Sequence, residues 1–394
     1  MNLGFAPPSN AYLKEENLKA PESYYPLKIE VCDKCWLVQT EDYANADELF
    51  SSEYAYFSST SSSWLSHASV YSKAMITDFN LGVNSFVIEI ASNDGYLLRN
   101  FLAAGIPCLG IEPTAGPAAA AEQIGIPVLR EFFDESLGKT LSDQGSSADL
   151  IVGNNVYAHV PDINSFTRGL KQALKPDGII TLEFPHLLQM IRNTQFDTVY
   201  HEHFSYLSLG AVCRIFSKAD LRVWDVEQIS THGGSLRVFG CHAESEREDS
   251  HAVIDLLTEE IEFGLQKIET YQHFQLRADL VKNDLLSFLI NQKLNGKSVA
   301  AYGAAAKGNT LLNYAGVKPD LLSFVCDAAP AKQNKYMPGS HIPILSPSVL
   351  IEKKPDFILI LPWNIAEEIQ QQNSAVKDWG GKFVIAIPDL RVLP

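Results

Sequence analysis

The chain has 394 residues, 46% apolar and 20% charged, which is more than one hydrophobic core usually organises, so two or three domains are expected. Its formal charge of −16 excludes a general phosphate-backbone binder, because such binding needs clustered Lys and Arg, and nucleic acid is not an expected partner. No apolar run approaches the roughly 20 residues that cross a bilayer, and the opening MNLGFAPPSN lacks a basic end followed by an apolar stretch, so no membrane partner and a cytoplasmic location are expected.

Residues 1–60 read as a small, loop-rich N-terminal lobe with Pro7, Pro8, Pro21 and Pro26 and a Ser-rich end, EYAYFSSTSSSW. Within it, YPLKIEVCDKCWLVQT reads as strand, Cys-x-x-Cys knuckle and strand, which is half of a zinc ribbon. Only Cys32 and Cys35 of the six cysteines have motif spacing, and three readings stay open: part of a zinc site, a redox pair, or two ordinary thiols. Tyr54 and Tyr56 suit either an aromatic lid over a substrate or core packing.

From Trp64 the signals change to alternating helix and strand. SFVIEIASNDGYLLRNFLAAG is an apolar strand, a small-residue turn and an amphipathic helix; CLGIEP, IPVLR, ADLIVGNNVYAHV and GIITLEFP are further strands, and LRVWDVEQIS with SLRVFGCHA forms a closing antiparallel pair. This predicts a mostly parallel sheet with helices on both faces over residues 61–245. His251 to about Asn295 is free of Pro and apolar at helical spacing, a long helix or helix pair. After Gly296 a second α/β unit begins with KSVAAYGAAAKGNTLLNYAG and continues through LLSFVCDA, DFILILP and KFVIAIP, so residues 246–394 form a linking helix plus a second Rossmann-like domain.

The turn Glu89-Ile90-Ala91-Ser92-Asn93-Asp94-Gly95 lies where a strand meets a helix, and Glu112 ends the next strand, where it can accept two ribose hydroxyl hydrogens. NAD binding favours G-x-G-x-x-G, and here two of the three glycines are replaced. Acidic residues repel a pyrophosphate but suit the ammonium and sulfonium of S-adenosylmethionine, which makes methyl transfer the better reading. Glu89, Ala91, Asn93, Gly95, Tyr96 and Glu112 are the candidate cofactor residues, with Asn154 and Asn155 near the aminoacyl end. In the second turn, Gly303 to Gly308, Lys307 and Asn309 stand at a helix start. That is a phosphate grip or, equally, a tight turn with a solvated Lys. His232 and Arg237, in THGGSLRV, are candidates for a nucleotide-linked substrate, although Arg237 would serve equally as a strand salt bridge. Tyr200-His201-Glu202-His203 crowds proton-transfer groups into four residues, and its two His, two apart, do not share a helix face as metalloprotease ligands do.

EIASNDGYLL, GNNVYAHV, YHEHFSYLS, THGGSLRV and YGAAAKGNT, in that order, resemble the sugar C-methyltransferase family that acts on nucleotide-linked 4-keto-6-deoxysugars, over essentially the whole chain. The resemblance implies a zinc-ribbon-like N-terminal lobe, a central Rossmann-like methyltransferase domain that takes S-adenosylmethionine, and a C-terminal Rossmann-like α/β domain, with a nucleoside-diphosphate sugar between the last two. His203 then matches the family's base, and Tyr200, Glu202 and His159 match residues around the keto-sugar. Cys32 and Cys35 match the second zinc pair, while the first would lie upstream of Met1, and Ala91 stands where relatives usually have Gly. The chemistry is consistent with these matches. A carbon-4 ketone acidifies the hydrogen on carbon 3, His203 can remove it, Tyr200 can donate to the developing enolate oxygen, Glu202 can orient an imidazole or the sugar, and His159 can contact the sugar. Two rival readings are an NAD-dependent sugar-nucleotide epimerase or dehydrogenase using the C-terminal turn, and a non-catalytic nucleotide-sugar binder.

Overall fold

The computed structural model describes residues 1–41, 57–60 and 62–393. In chain order, β1 (Asn2–Ala6), β2 (Tyr25–Val31) and β3 (Val38–Thr40) belong to the N-terminal lobe. They are followed by α1 (Ser62–Asp78), β4 (Val87–Ile90), α2 (Leu98–Ala103), β5 (Cys108–Ile111), α3 (Ala115–Gln123), β6 (Val128–Leu129), α4 (Glu135–Asp143), β7 (Ala148–Asn154) and α5 (Ile163–Ala173). Next come β8 (Leu174–Pro185), α6 (Leu187–Arg192), β9 (Ser205–Tyr206), α7 (Leu209–Lys218), β10 (Leu221–Ile229) and β11 (Ser235–His242). Then α8 (His251–Phe263) and α9 (Ile268–Leu294) lead into β12 (Val299–Tyr302), α10 (Ala306–Tyr314), β13 (Val325–Cys326), β14 (Ile344–Leu345), α11 (Ser348–Lys353), β15 (Phe357–Ile360), α12 (Ala366–Gln372), β16 (Lys382–Ile385) and β17 (Arg391–Val392).

The central seven-stranded sheet runs β10-β11-β8-β7-β4-β5-β6. All its neighbours pair parallel except β11, which is antiparallel to both β8 and β10. Strands β4, β7 and β8 are apolar on both faces because each face is covered: one core contains Val212, Phe216 and Phe166, the other Tyr71, Leu97 and Phe101. The order reverses between β4 and β7, so a crevice opens at their carboxyl ends, where open α/β sheets bind ligands. The C-terminal sheet, β14-β13-β12-β15-β16-β17, repeats the device, with its reversal between β12 and β15. The Pro-free stretch after β11 is a helix pair, because Gly264 adopts a left-handed conformation (φ 97°) and ends α8.

The lobe is less separate than its composition suggests. β1, whose Leu3 and Ala6 are buried, escapes periodicity because only these two side chains of five point inward. The lobe sheet runs β1-β2-β3-β9, so its last strand comes from the segment just after Tyr200–His203. Its apolar residues Leu27, Ile29 and Val38 join one core with Leu312, Val325 and Leu359 of the C-terminal domain. No helix among the described residues is long and apolar enough to cross a membrane.

Helices α4 and α5, each capped by an Asp side chain (Asp134 and Asp162), cross where Gly138 meets Gly169. A Cβ on Gly138 would collide with the Gly169 carbonyl, which is backbone and cannot swing away. Gly138→Ala is therefore expected to cost about 1–3 kcal/mol through overpacking, visible as a lowered unfolding midpoint in urea with an unchanged slope; an unchanged midpoint would show that the helices can move apart freely.

Candidate active site

After β4 the chain turns sharply through Ala91 (φ 56°), Asn93 (φ 50°) and Gly95 (φ 76°), all in the left-handed region. Asn tolerates that conformation and Gly is indifferent to it, whereas Ala91 is held against its preference. A Cβ on Gly95 would strike Ile126, so this position must stay bare for the loop to lie on β5 and β6. Three carboxyl groups, Glu89, Asp94 and Glu112, converge here, all buried. Burial first, then the charges of Asp94 and Glu112, hold Glu89 well above the usual carboxylate range.

Glu112 ties this loop to the end of β5. Its Oε2 accepts from the Asn93 amide at 2.9 Å and its Oε1 from the Thr114 amide at 2.9 Å and from the Thr114 hydroxyl. A carboxylate has about four acceptor sites, so with the Thr114 hydroxyl in place Glu112 can take one ribose hydroxyl rather than two. This revises the sequence expectation: the residue is as much a brace for the loop as a ligand. Asn93 Oδ1 and Asp94 Oδ2 accept from the Ser58 and Ser59 amides at 2.9 and 3.0 Å, closing the segment before α1 over the loop. Both Glu89 oxygens, Asp94 Oδ1, both amide atoms of Asn154, and Asn155 Oδ1 are buried without a hydrogen-bond partner. Orphaned acceptors around a bare glycine fit a cationic, hydrogen-bonding ligand, as the methionyl sulfonium and ammonium would be.

Tyr96, in the same loop, lies 6.1 Å from Trp64, which stacks on His67 at 4.9 Å and meets the edge of His232 at 5.6 Å. Trp64 thus connects the donor loop to the THGGSLRV turn. There His232 holds φ 56°, its Nε2 is buried without a partner, and burial followed by the Lys307 charge brings its pKa down to about 4. The turn is anchored by Glu183, which accepts from Thr231 Oγ1 at 3.1 Å and from Arg237 Nη2 at 3.2 Å, and pairs with His67 Nε2 at 3.0 Å. Burial alone would raise the Glu183 pKa, but the His67 hydrogen bond and the His67 and Arg237 charges bring it below the usual value. Arg237 also donates to Glu227 at 2.8 Å. It thus forms the strand ion pair of the two readings, with Nη1 and Nη2 engaged and Nε buried without a hydrogen-bond partner.

The Tyr200–His203 segment is fixed by every part of the molecule. Thr310 Oγ1 of α10 donates to the Val199 carbonyl at 2.7 Å, Thr40 Oγ1 of the lobe donates to the His203 carbonyl at 2.8 Å, and the Phe204 amide donates to Ala158 O at 2.8 Å. His203 Nδ1 lies 2.9 Å from Thr198 O and His159 Nδ1 2.7 Å from Glu202 O. A carbonyl only accepts, so each Nδ1 carries the proton and each Nε2 carries a lone pair. The two rings meet edge-on at 4.6 Å, and Tyr200 covers His203 at 4.0 Å. Burial, then the neighbouring His159, holds His203 well below its ordinary pKa; burial brings His159 to about 4. Both imidazoles are neutral at pH 7.

Glu202 does its orienting through its main-chain carbonyl. Its carboxyl turns instead to Asn10 Nδ2 at 2.7 Å, and burial pushes its pKa up to about 7. His201 points away, to Pro26 O at 3.2 Å. Asn309 is buried and donates to Ser9 O at 2.6 Å, so it joins the C-terminal domain to the lobe. Lys307 is half-buried rather than solvated: its ammonium lies 4.6 Å over the Trp363 ring and donates to Asn364 Oδ1 at 2.7 Å. Tyr54 and Tyr56 lie outside the described residues. Sequence reading passed over Asp197, Trp363, Glu183 and Trp64; Asp197 stood within the FDTVYHEHF run, and Trp363 lies three residues beyond strand β15, at a carboxyl end where ligands gather.

The second glycine turn is braced from within the protein. Ala304 O accepts from both Tyr12 Oη and Lys332 Nζ (2.8 Å), and Asp327, placed where a ribose would need a carboxylate, accepts from the Ala304 and Ala329 amides at 2.7 and 2.8 Å. For metal, Cys32 and Cys35 are part-exposed, with Trp36 N donating to Cys32 O as in a knuckle. Among the described residues no group of three or more His, Cys, Asp or Glu could hold an ion.

Comparison with known proteins adds three family models in tandem: one described as "putative zinc binding domain" over residues 1–50, a methyltransferase domain over 73–226 and a C-methyltransferase C-terminal domain over 230–388. The C-methyltransferase NovU of Streptomyces niveus is 34% identical over 393 residues, covering 100% of this chain and 93% of its own. The chain belongs to the C-methyltransferase family. An uncharacterized methyltransferase of Mycobacterium leprae matches at 26% over 102 residues, 26% of this C-methyltransferase and 38% of that protein. Among solved structures, magnesium protoporphyrin IX methyltransferase of Synechocystis, with bound S-adenosylmethionine, aligns at 13% identity and a TM-score of 0.35, covering 45% of this chain and 79% of that one. The C-methyltransferase takes its methyl group from S-adenosylmethionine. Hydride transfer and non-catalytic binding are thereby set aside as its primary activity.

Proposed function

We propose that this C-methyltransferase methylates carbon 3 of a nucleoside-diphosphate-linked 4-keto-6-deoxysugar through an enolate, with His203 as the base. The division at residues 60 and 245 belongs to this reading: a lobe that helps fix the base, a donor domain and a C-terminal domain that grips the nucleotide. The observation that carries it is the pair of main-chain carbonyls behind His203 and His159, which leave an Nε2 lone pair on each neutral ring. A base that must take a carbon-bound proton at neutral pH needs that form of imidazole.

Bound at the carboxyl ends of β4, β5 and β7, S-adenosylmethionine supplies an electrophilic methyl group. Glu89, Asn93, Asp94, Gly95, Tyr96 and Glu112 surround that place, and Asn154 and Asn155 complete it. His203 Nε2 takes the carbon-3 proton, the electron pair moves onto the carbon-4 oxygen, and the Tyr200 hydroxyl donates to that oxygen as charge develops. His159 shields and contacts the sugar, while Glu202 holds His159 through its carbonyl. The pair would then return from the enolate to carbon 3 and form the new carbon–carbon bond to the donor's methyl group, as the methyl–sulfur bond breaks and S-adenosylhomocysteine is left. Lys307 and His232, across the cleft, take the diphosphate.

Proton removal can be tested apart from methyl transfer. In deuterium oxide, with S-adenosylhomocysteine in place of the donor, the enzyme is expected to exchange the carbon-3 hydrogen of a thymidine- or guanosine-diphosphate 4-keto-6-deoxyhexose. Absence of exchange in an enzyme that methylates the same compound would sink the enolate route. Tyr200→Phe, which keeps the ring against His203 and removes the donor, is expected to slow both exchange and methylation about 100-fold, since one oxyanion donor is worth about 3 kcal/mol. An equal loss in donor affinity would show a structural effect instead.

A further inference from the structure

Asp197 has no part in the chemistry described so far, yet it is fully buried at the junction of the donor and C-terminal domains. It lies in the turn Phe196–Thr198, whose last residue supplies the carbonyl that holds His203. Its Oδ2 accepts from Trp363 Nε1 at 2.8 Å, across 166 residues of sequence, and its Oδ1 is buried without a hydrogen-bond partner. Over the face of the same indole sits the Lys307 ammonium, 4.6 Å from the ring centroid. One of its three hydrogens goes to Asn364. The charged and titratable groups whose charge interacts with Lys307 are Asp197 and the imidazoles of His203 and His232. An ammonium with spare donors, an aromatic floor and neutral imidazoles nearby offers an anion site, and the nearby carboxylate keeps the cation charged until the anion arrives.

We propose that Asp197 is a positioning residue for substrate binding, which together with Trp363 holds the Lys307 ammonium in the cleft and aims it at the phosphates of the sugar nucleotide. The inference rests on the reading of Lys307 as the diphosphate grip. It also accounts for an acid buried beside a tryptophan when a neutral side chain would pack as well. Burial pushes Asp197 up to about 6, against the pull of Lys307, while burial lowers the Lys307 pKa and Asp197 raises it again. Each charge therefore depends on the other.

The test is a pH titration of the Lys307 side-chain resonance in lysine-labelled full-length protein, assigned by its loss in Lys307→Met. In the wild type the resonance should move with an inflection near pH 6, as Asp197 ionises, and again on the alkaline side. Asp197→Asn keeps an oxygen for Trp363 Nε1 and removes the charge. The variant should lose the first inflection and shift the second to lower pH by about one unit or more. Anion affinity needs the ammonium and is lost as pH rises through its pKa. Thymidine or guanosine diphosphate should therefore bind Asp197→Asn about tenfold more weakly at pH 9 than at pH 7, where the wild type still binds, with unchanged affinity for S-adenosylhomocysteine. A Lys307 titration blind to pH 6 in the wild type, or unmoved in the variant, overturns the proposal; the wild-type result decides alone if the variant does not fold. Unchanged diphosphate affinity in Lys307→Met would instead overturn the phosphate reading. The two failures are distinct, because the titration uses no ligand.

Discussion

Replacing His203 with Ala is expected to lower kcat for methyl transfer by about 10²–10⁴-fold, the usual worth of a positioned general base, while leaving the affinity for S-adenosylhomocysteine unchanged. Carbon-3 exchange in deuterium oxide should vanish in the same variant. The reasoning is geometric before it is electrostatic. His203 is buried, its Nδ1 is committed to Thr198 O, and its backbone is tied to the lobe through Thr40 and to the C-terminal domain through Val199 and Thr310. With the ring so placed, Nε2 has one orientation. Burial and His159 hold its pKa well below 6.5, so the base is unprotonated across the neutral range and activity falls only as pH drops through that depressed value. An acid limb in kcat at or above pH 6.5 would therefore belong to another group, with Glu202, near pH 7, the first to examine. Substantial turnover by His203→Ala, or loss of exchange matched by loss of donor binding, would remove His203 from the role.

The strand and helix alternation made both Rossmann-like sheets legible from sequence, because their inner strands are buried on two faces and most of the parallel ones are followed by a helix. The donor loop was legible for a related reason: its signals, from Glu89 to Glu112, lie on successive strands of one local unit. What escaped is long-range. Trp363 reaches Asp197, Asn309 reaches Ser9 and Asn10 reaches Glu202, across sequence separations of 166, 300 and 192 residues. No periodicity encodes such pairings. β1 and β9 are short, and only the completed sheet explains them. Arg237 and Lys307 looked alike as candidate cations, and their surroundings separate them: one is paired with both Glu183 and Glu227, while the other has the charge of a single buried acid, Asp197, to hold it.

Glu112→Ala is expected to weaken S-adenosylhomocysteine binding by about 100-fold or more and to lower stability as well. The carboxylate does two things at once. It holds the Asn93 amide, which sets the left-handed turn of the donor loop, and it holds Thr114 at the start of α3. Bonds to a charged acceptor are worth about 1.5–3 kcal/mol each, and removing this one leaves buried amides unpaired before any ligand contact is counted. Glu112→Gln separates the two contributions. Its single carbonyl oxygen can serve either the Asn93 amide or the Thr114 amide, and its NH₂ group then faces the other donor, so the loop should loosen while the cavity stays filled. If Glu112 acts through its charge on the cationic donor, Gln should weaken S-adenosylmethionine more than S-adenosylhomocysteine, since only the former carries a sulfonium. If it acts through the loop and one ribose hydroxyl, both ligands should weaken equally. Full affinity in Glu112→Ala would remove it from the donor site altogether and leave Glu89 and Asp94, with their unpartnered buried oxygens, to carry the recognition of the donor's charge.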